Sequence, residues 1–175
     1  MATSDSQPVT PLSDPAILGH LQNYHATRCC ASPIYTLLLG TPTAPLFRFT
    51  SASKGIFTAR LTLLPQHLNS GGGIHGSVSA TLVDWAGGLA IAAWDLRAAT
   101  GVSVDINVSY LSTARLGEEI EIEGRVERVG ANLAFTEVRI WKVLDGDGDG
   151  PGGGQRGNMV ISGRHTKFVR GGGAK

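Results

Sequence analysis

Asn69-Ser70-Gly71-Gly72-Gly73-Ile74-His75-Gly76-Ser77 is a glycine-rich polar segment that runs directly into an apolar stretch. If a helix starts there, its first backbone N–H groups lack an intrahelical acceptor and its dipole places positive charge at that end. The Gly76 amide then suits an oxygen that becomes negative, and the missing side chain lets a ligand come close. The same glycines also suit a plain turn, with Ser77 helping to cap the helix. Asp84 is the second chemical feature. It stands between Val83 and Trp85, where burial is expected to raise its pKa and make its charge costly unless it is paired or used. Neighbouring Ser or Asn side chains holding the acid purely for structure is the competing reading. Gly76 and Asp84 are eight residues apart, which is about 12 Å along a helix at ~1.5 Å per residue. One carbonyl cannot reach both on the same chain. If they share a site, a second chain must run its helix antiparallel past the first, and a twofold axis creates two equal sites.

The elements that would hold these groups follow from patterning. Leu46 to Ser51 and Ile56 to Leu64 flank Ser53-Lys54-Gly55 and predict two strands joined by a tight turn. His75 to Leu96 carries Val78, Leu82, Val83, Trp85, Leu89, Ile91 and Trp94 with no wide polar face, the pattern of a helix enclosed by the rest of the protein. Gly87 and Gly88 cost about 1 kcal/mol each inside a helix and point to close packing there. Val102, Val104, Ile106, Val108 and Tyr110 alternate with polar residues, which predicts a strand with one buried face. Glu119 to Val129, Leu133 to Val143 and Asn158 to Val169 read as three more strands. Two strands, a buried helix and four strands make an α+β arrangement, a sheet wrapped around one central helix. Before residue 46, Ser13 is a candidate cap for a short helix reaching about Cys30, and Ala31 to Pro45, with three prolines, reads as a linker. Residues 1–45 are thus expected to be an N-terminal extension and 46–170 the folded domain.

Composition removes several classes of function. The 175 residues are 42% hydrophobic, enough for one core, and carry a net charge of +1 with no basic cluster interleaved with aromatics, so nucleic acid is not an expected partner. Trp85 to Trp94 is about half of the ~20 residues a membrane helix needs, so no span is expected. The first 27 residues contain Asp5 and Asp14, resemble neither a secretory leader nor a mitochondrial presequence, and lead to an intracellular expectation, cytoplasm or mitochondrion. Cys29 and Cys30 are adjacent, cannot staple distant segments and read as incidental. Asp145 to Gly150 matches half of a calcium loop, but Arg156 stands where a bidentate Glu is needed; Gly148, Gly150 and Gly153 fit a dinucleotide pattern only through glycine content. Neither a serine-hydrolase elbow nor zinc-ligand spacing occurs.

His75-Gly76 leading to Leu82-Val83-Asp84, then Gly101 to Asp105, Ser112 to Glu118, Leu133 to Thr136 and Gly163-Arg164-His165-Thr166-Lys167, resembles the hotdog-fold acyl-CoA thioesterases of the phenylacetyl-CoA thioesterase-like group, over about Leu46 to Val169. The resemblance implies a hotdog fold, homodimers pairing into tetramers, and hydrolysis of an acyl-CoA thioester without metal or cofactor. It implies that Gly76 polarises the carbonyl, that Asp84 of the other subunit activates water or attacks directly, that Asn69 and Ser103 assist, and that His75 shapes the site. It also implies that CoA lies near Tyr110, Ser112 and Arg115 and near Arg128, Gly130 and Asn132. Ser77 where relatives carry a second glycine, Trp85 after the acid, and a long 145–157 loop depart from the pattern. A hotdog protein that binds acyl-CoA or a partner without turnover, and a hotdog hydratase, are the rival readings.

Overall fold

Alternating β-branched and polar residues build six antiparallel strands around one apolar helix. The computed structural model describes residues 13–144 and 154–170; the calcium-like and dinucleotide-like patterns lie at least partly outside them. A short helix α1 (Pro15–Tyr24) continues into a π-turn, His25–Cys29, and is followed by α2 (Pro33–Leu39). A two-residue hairpin, β1 (Gly40–Thr41) and β2 (Ala44–Pro45), leads to β3 (Phe47–Ser53) and β4 (Ile56–Thr62). The central helix α3 (Gly76–Asp95) is followed by β5 (Val102–Tyr110), β6 (Glu119–Val129), β7 (Leu133–Leu144) and β8 (Gln155–Phe168). The sheet order is β3-β4-β6-β7-β8-β5, all neighbours antiparallel. This is the expected layer arrangement.

α3 is long and apolar enough to cross a bilayer by length and composition, yet most of it is buried inside the protein as a core helix. Leu82, Leu89, Phe57, Leu61, Ile120, Ile122 and Ile140 have no measurable exposure, and burial of each such side chain stabilises by about 1.5–3 kcal/mol. Gly87 fulfils the expectation of close packing. A Cβ there would stand 2.7 Å from His165 Nδ1 and 2.8 Å from Thr136 Oγ1.

Several expectations need correction. Asp14, not Ser13, caps α1, accepting from the Ala16 and Ile17 amides, while the Ser13 hydroxyl pairs with the Ala52 backbone of β3. The supposed linker forms α2 and the small hairpin, because Pro33 at a helix start is tolerated and Leu38 and Leu39 have core to fill. β8 begins at Gln155 rather than Asn158. Strand β5 has no buried face in the single chain: it is an edge strand, and Val102, Val104, Ile106 and Tyr110 are all exposed. Cys29 and Cys30 are free thiols and both are packed, Cys29 in the core and Cys30 Sγ 3.4 Å from His25 Nε2.

Two predictions follow from this packing. Burial pushes the His25 imidazole down to about 4 and shifts His67 and His165 the same way. The unfolded imidazole, near 6.5, binds protons that the folded one refuses, so stability is complete above about pH 6.5 and is lost as pH falls toward 4. His25 alone accounts for about 3 kcal/mol of that loss; urea unfolding midpoints should fall steadily from pH 7 to pH 4.5. Gly87→Ala, which overpacks the helix against His165 and Thr136, should cost about 1–3 kcal/mol, read by the same titration at pH 7.

Candidate active site

The first turn of α3 is capped by His75, not by Ser77: the His75 Nδ1 atom accepts the Ser77 amide at 3.1 Å and lies 2.8 Å from the Ser77 hydroxyl. The Gly76 N–H has no acceptor among the described residues and sits half-buried at the positive end of the helix. Asn69 shapes the loop before it. Its Oδ1 accepts the Gly71 and Gly73 amides at 2.9 and 3.3 Å, and its Nδ2 donates to the Ile74 carbonyl at 3.4 Å. Tyr110, at the far end of β5, donates to the Gly76 carbonyl at 3.2 Å. Asn69, His75, Gly76 and Tyr110 therefore gather at the N-terminal end of α3.

Asp84 lies two turns further along the helix, in a different environment. Its Oδ2 accepts the Tyr35 hydroxyl at 2.5 Å and its Oδ1 accepts the Ser103 hydroxyl at 3.1 Å. Lys167 Nζ stands 3.5 Å from Oδ1 with its side chain only 9% exposed. His165 Nε2 is 2.9 Å from Ser103 Oγ and 3.5 Å from Asp84 Oδ1. Because the Ser103 hydroxyl donates to Asp84, it accepts from His165, which assigns the ring proton to Nε2. Nδ1 is then a lone pair packed on Gly87, the only buried side-chain nitrogen or oxygen without a hydrogen-bond partner among the described residues.

The electrostatics reverse the sequence-based expectation for Asp84. Burial pushes its carboxyl up, but the Tyr35 hydroxyl, the Lys167 ammonium, His165 and the Ser103 hydroxyl together outweigh burial and hold it below the usual carboxylate range. Burial, reinforced by Lys167, lowers the His165 pKa, so the ring is neutral near pH 7. The His165–Asp84 approach is therefore a polar contact, and Lys167 is the cation that balances the charge. Beside Asp84 a cavity of about 150 Å³ is lined by Tyr24, Cys29, Tyr35, Trp85, Thr100 and Lys167, among others. Burial, with the charges of Cys30 and Asp84, pushes the Cys29 thiol up to about 12, so it is protonated there.

Sequence reasoning named Asp84 and Ser103, which the structure brings together, and missed Tyr35, His165 and Lys167. His165 and Lys167 had a signal: they occupy alternate positions on the buried face of β8 with Ile161 and Gly163, where polar residues need partners. Tyr35 had none, because its partner is 49 positions away. The remaining expected residues divide between the two ends of the sheet. Ser112 donates to the Met159 carbonyl, and Arg115 lies at the bridge to Gly73, both near Gly76. Arg128, Gly130 and Asn132 lie at the β6–β7 turn, where the Asn132 carbonyl accepts the Val169 amide near the start of β5. The partners of these ends, Ile161 and Phe168, stand seven positions apart on β8, or about 23 Å of strand. One chain does not unite them.

A family model described as the Thioesterase superfamily matches residues 71–147. Acyl-coenzyme A thioesterase 13 of Homo sapiens is 37% identical over 119 residues, covering 68% of this chain and 76% of that protein. The crystal structure of zebra fish thioesterase superfamily member 2 superposes with a TM-score of 0.67 at 30% identity, covering 90% of this chain and 98% of that one. A Streptococcus mutans UA159 structure bound to acetyl CoA superposes with a TM-score of 0.58 at 25% identity, covering 71% of this chain and 89% of that one. A six-stranded sheet around one long helix agrees with these likenesses, and the chain belongs to the thioesterase superfamily as a hotdog-fold thioester hydrolase.

Proposed function

We propose that the thioester hydrolysed is an acyl-CoA, and that each reaction centre is built from two copies of the chain. The observation that carries the reading is the Asp84 carboxylate. It is ionised, 31% exposed, held by Tyr35 and Ser103, and placed beside the open edge of the sheet. The acetyl CoA bound by the Streptococcus mutans relative and the name of the human relative support CoA as the carrier.

The edges of the sheet differ. Along β3 the Ala52 carbonyl accepts the Asp14 amide and Ser13 covers its neighbourhood, whereas β5 is exposed along nearly its whole length. A bare edge with apolar side chains pairs with something. Pairing β5 with a second β5 about a twofold axis sets the Ser103 end of one chain against the Tyr110 end of the other. The same operation brings Asp84 of one copy toward Gly76 of the other, and the Arg128 to Asn132 turn toward Tyr110, Ser112 and Arg115. Arg115 and Arg128 are exposed cations suited to CoA phosphates.

In that centre the Gly76 N–H donates to the thioester oxygen and stabilises the charge that develops on it. Asp84 takes a proton from water as the water oxygen attacks the carbonyl carbon; the C–S bond breaks, and the CoA thiolate recovers the proton, leaving the acid. Direct attack by Asp84 would instead pass through an anhydride that water opens. Oxygen-18 from labelled water entering the Asp84 side chain in a single turnover distinguishes the two routes. Pairing of dimers into tetramers belongs to the same reading.

Asp84→Asn should lower thiol release from hexanoyl-CoA by about 100-fold or more while the mass of the assembly stays unchanged; undiminished turnover would refute the assignment. Val104 is 59% exposed in the single chain, so Val104→Arg should leave monomer stability within about 0.5 kcal/mol. It should nevertheless shift the mass in solution to the monomer and abolish activity in proportion. A fully active monomer would overturn the shared site.

A further inference from the structure

Tyr35 reaches Asp84 from outside the strands and helix that supply its other partners. It lies on α2, and its placement is fixed at both ends of that short helix. At the start, the Thr36 hydroxyl donates to the Cys30 carbonyl at 3.1 Å. At the end, Leu38 and Leu39 are buried, the Leu38 carbonyl accepts from His67 Nε2 at 2.8 Å, and the Leu39 carbonyl accepts the Leu46 amide at 2.9 Å. The His67 ring is held in turn, its Nδ1 accepting the Leu64 amide at 2.9 Å, and the His67 carbonyl accepts the His75 amide at 2.8 Å. One buried histidine thus ties the helix that carries Tyr35 to the residue before Gly76.

The carboxylate of Asp84 can rotate about its last side-chain bond, and Ser103 with Lys167 restrains only Oδ1. The Tyr35 hydroxyl, 2.5 Å from Oδ2, supplies the second point of restraint. We propose that Tyr35 is a positioning residue that fixes the plane of the Asp84 carboxylate for its encounter with water or the thioester. The inference rests on Asp84 being the working carboxylate of an acyl-CoA hydrolase. The tyrosine ring also lines the cavity beside Asp84, so Tyr35→Phe removes the hydroxyl and keeps the wall.

The hydroxyl favours the ionised carboxyl, and its loss has a definite sign. The groups around Asp84 in Tyr35→Phe are Lys167 and the neutral His165 of β8, Ser103 of β5 and the protonated Cys29 thiol of the π-turn, with Tyr24 and Arg28 on the cavity wall. With one lowering influence gone and burial unchanged, the carboxyl titrates at higher pH than in the parent protein.

The test uses the full chain with hexanoyl-CoA and thiol release, beside carbon-13 titration of the Asp84 carboxyl in aspartate-labelled protein. For Tyr35→Phe, kcat should fall about tenfold with little change in KM, the acid limb of kcat should move to higher pH, and the carbon-13 midpoint should move with it. A merely structural tyrosine would change stability or KM and leave the limb and the midpoint in place, and that result overturns the proposal. If Tyr35→Phe does not fold, 3-fluorotyrosine in place of the tyrosines decides, because the Tyr35 hydroxyl bonds Asp84: the stronger donor should move the Asp84 midpoint and the acid limb of kcat together to lower pH, and an unmoved midpoint overturns the proposal. Full activity in Asp84→Asn would sink the acyl-CoA centre instead, while the carbon-13 comparison would continue to report on Tyr35 alone.

Discussion

The structure depends on keeping one charged carboxylate on a helix that is otherwise buried in apolar surroundings. Removing a carboxylate from water costs several kcal/mol unless partners compensate. Asp84 has two hydroxyl donors and an ammonium group within 3.5 Å, and each arrives on a different part of the fold. Tyr35 comes from α2, Ser103 from the edge strand β5, and Lys167 from β8. Helix, strand pair and N-terminal segment must all be in register for the charge to be satisfied, and the carboxylate so held is ionised near neutral pH.

A second constraint is plain length. An acid and an amide on one straight helix, eight residues apart, cannot hold the same carbonyl. A longer separation recurs in the sheet, where the two groups of CoA-binding candidates lie at opposite ends of β8 and β5. Under the proposed two-copy reading, a single twofold operation on the open β5 edge answers both problems. On that reading the exposed Val102, Val104 and Ile106 of the edge strand, otherwise a liability, are the surface that a second copy covers.

Local patterns in the sequence carried much of this. The girdle of apolar residues around Asp84 marked a central helix, and Gly87 marked where something crosses it closely; that something is His165, held against the helix by β8. Alternation located β5 to β8 because period two is a property of each strand alone. It does not say which strand is an edge, so the buried face that alternation predicts for β5 is absent from the single chain. The direction of the Asp84 pKa is hidden from local sequence for a related reason. Desolvation is legible from flanking Val83 and Trp85, whereas the opposing donors Tyr35 and Lys167 stand 49 and 83 positions away in sequence. Proline content hid α2, since Pro33 reads equally as a breaker and as the first residue of a helix.

The segment before β3 is joined to the helix at three successive points near the acid. Tyr35 meets Asp84, the His25 Nδ1 atom accepts the Trp85 indole N–H at 3.2 Å, and the Tyr24 hydroxyl lies 3.0 Å from that of Thr100, which packs on Gly88. Trp85 explains why this segment is needed. An indole beside the acid brings a polar N–H into the core, and an unpartnered one is costly. His25 accepts it only as a neutral ring, which its burial enforces. Around that contact Phe47 and Phe49 of β3 and Phe57 of β4 pack with centroids 5.0 to 6.3 Å from Trp85, so the sheet and the N-terminal segment enclose the indole together. The large residue after Asp84 and the helical N-terminal segment are thus two halves of one packing solution, and that segment brings Tyr35 within reach of the carboxylate.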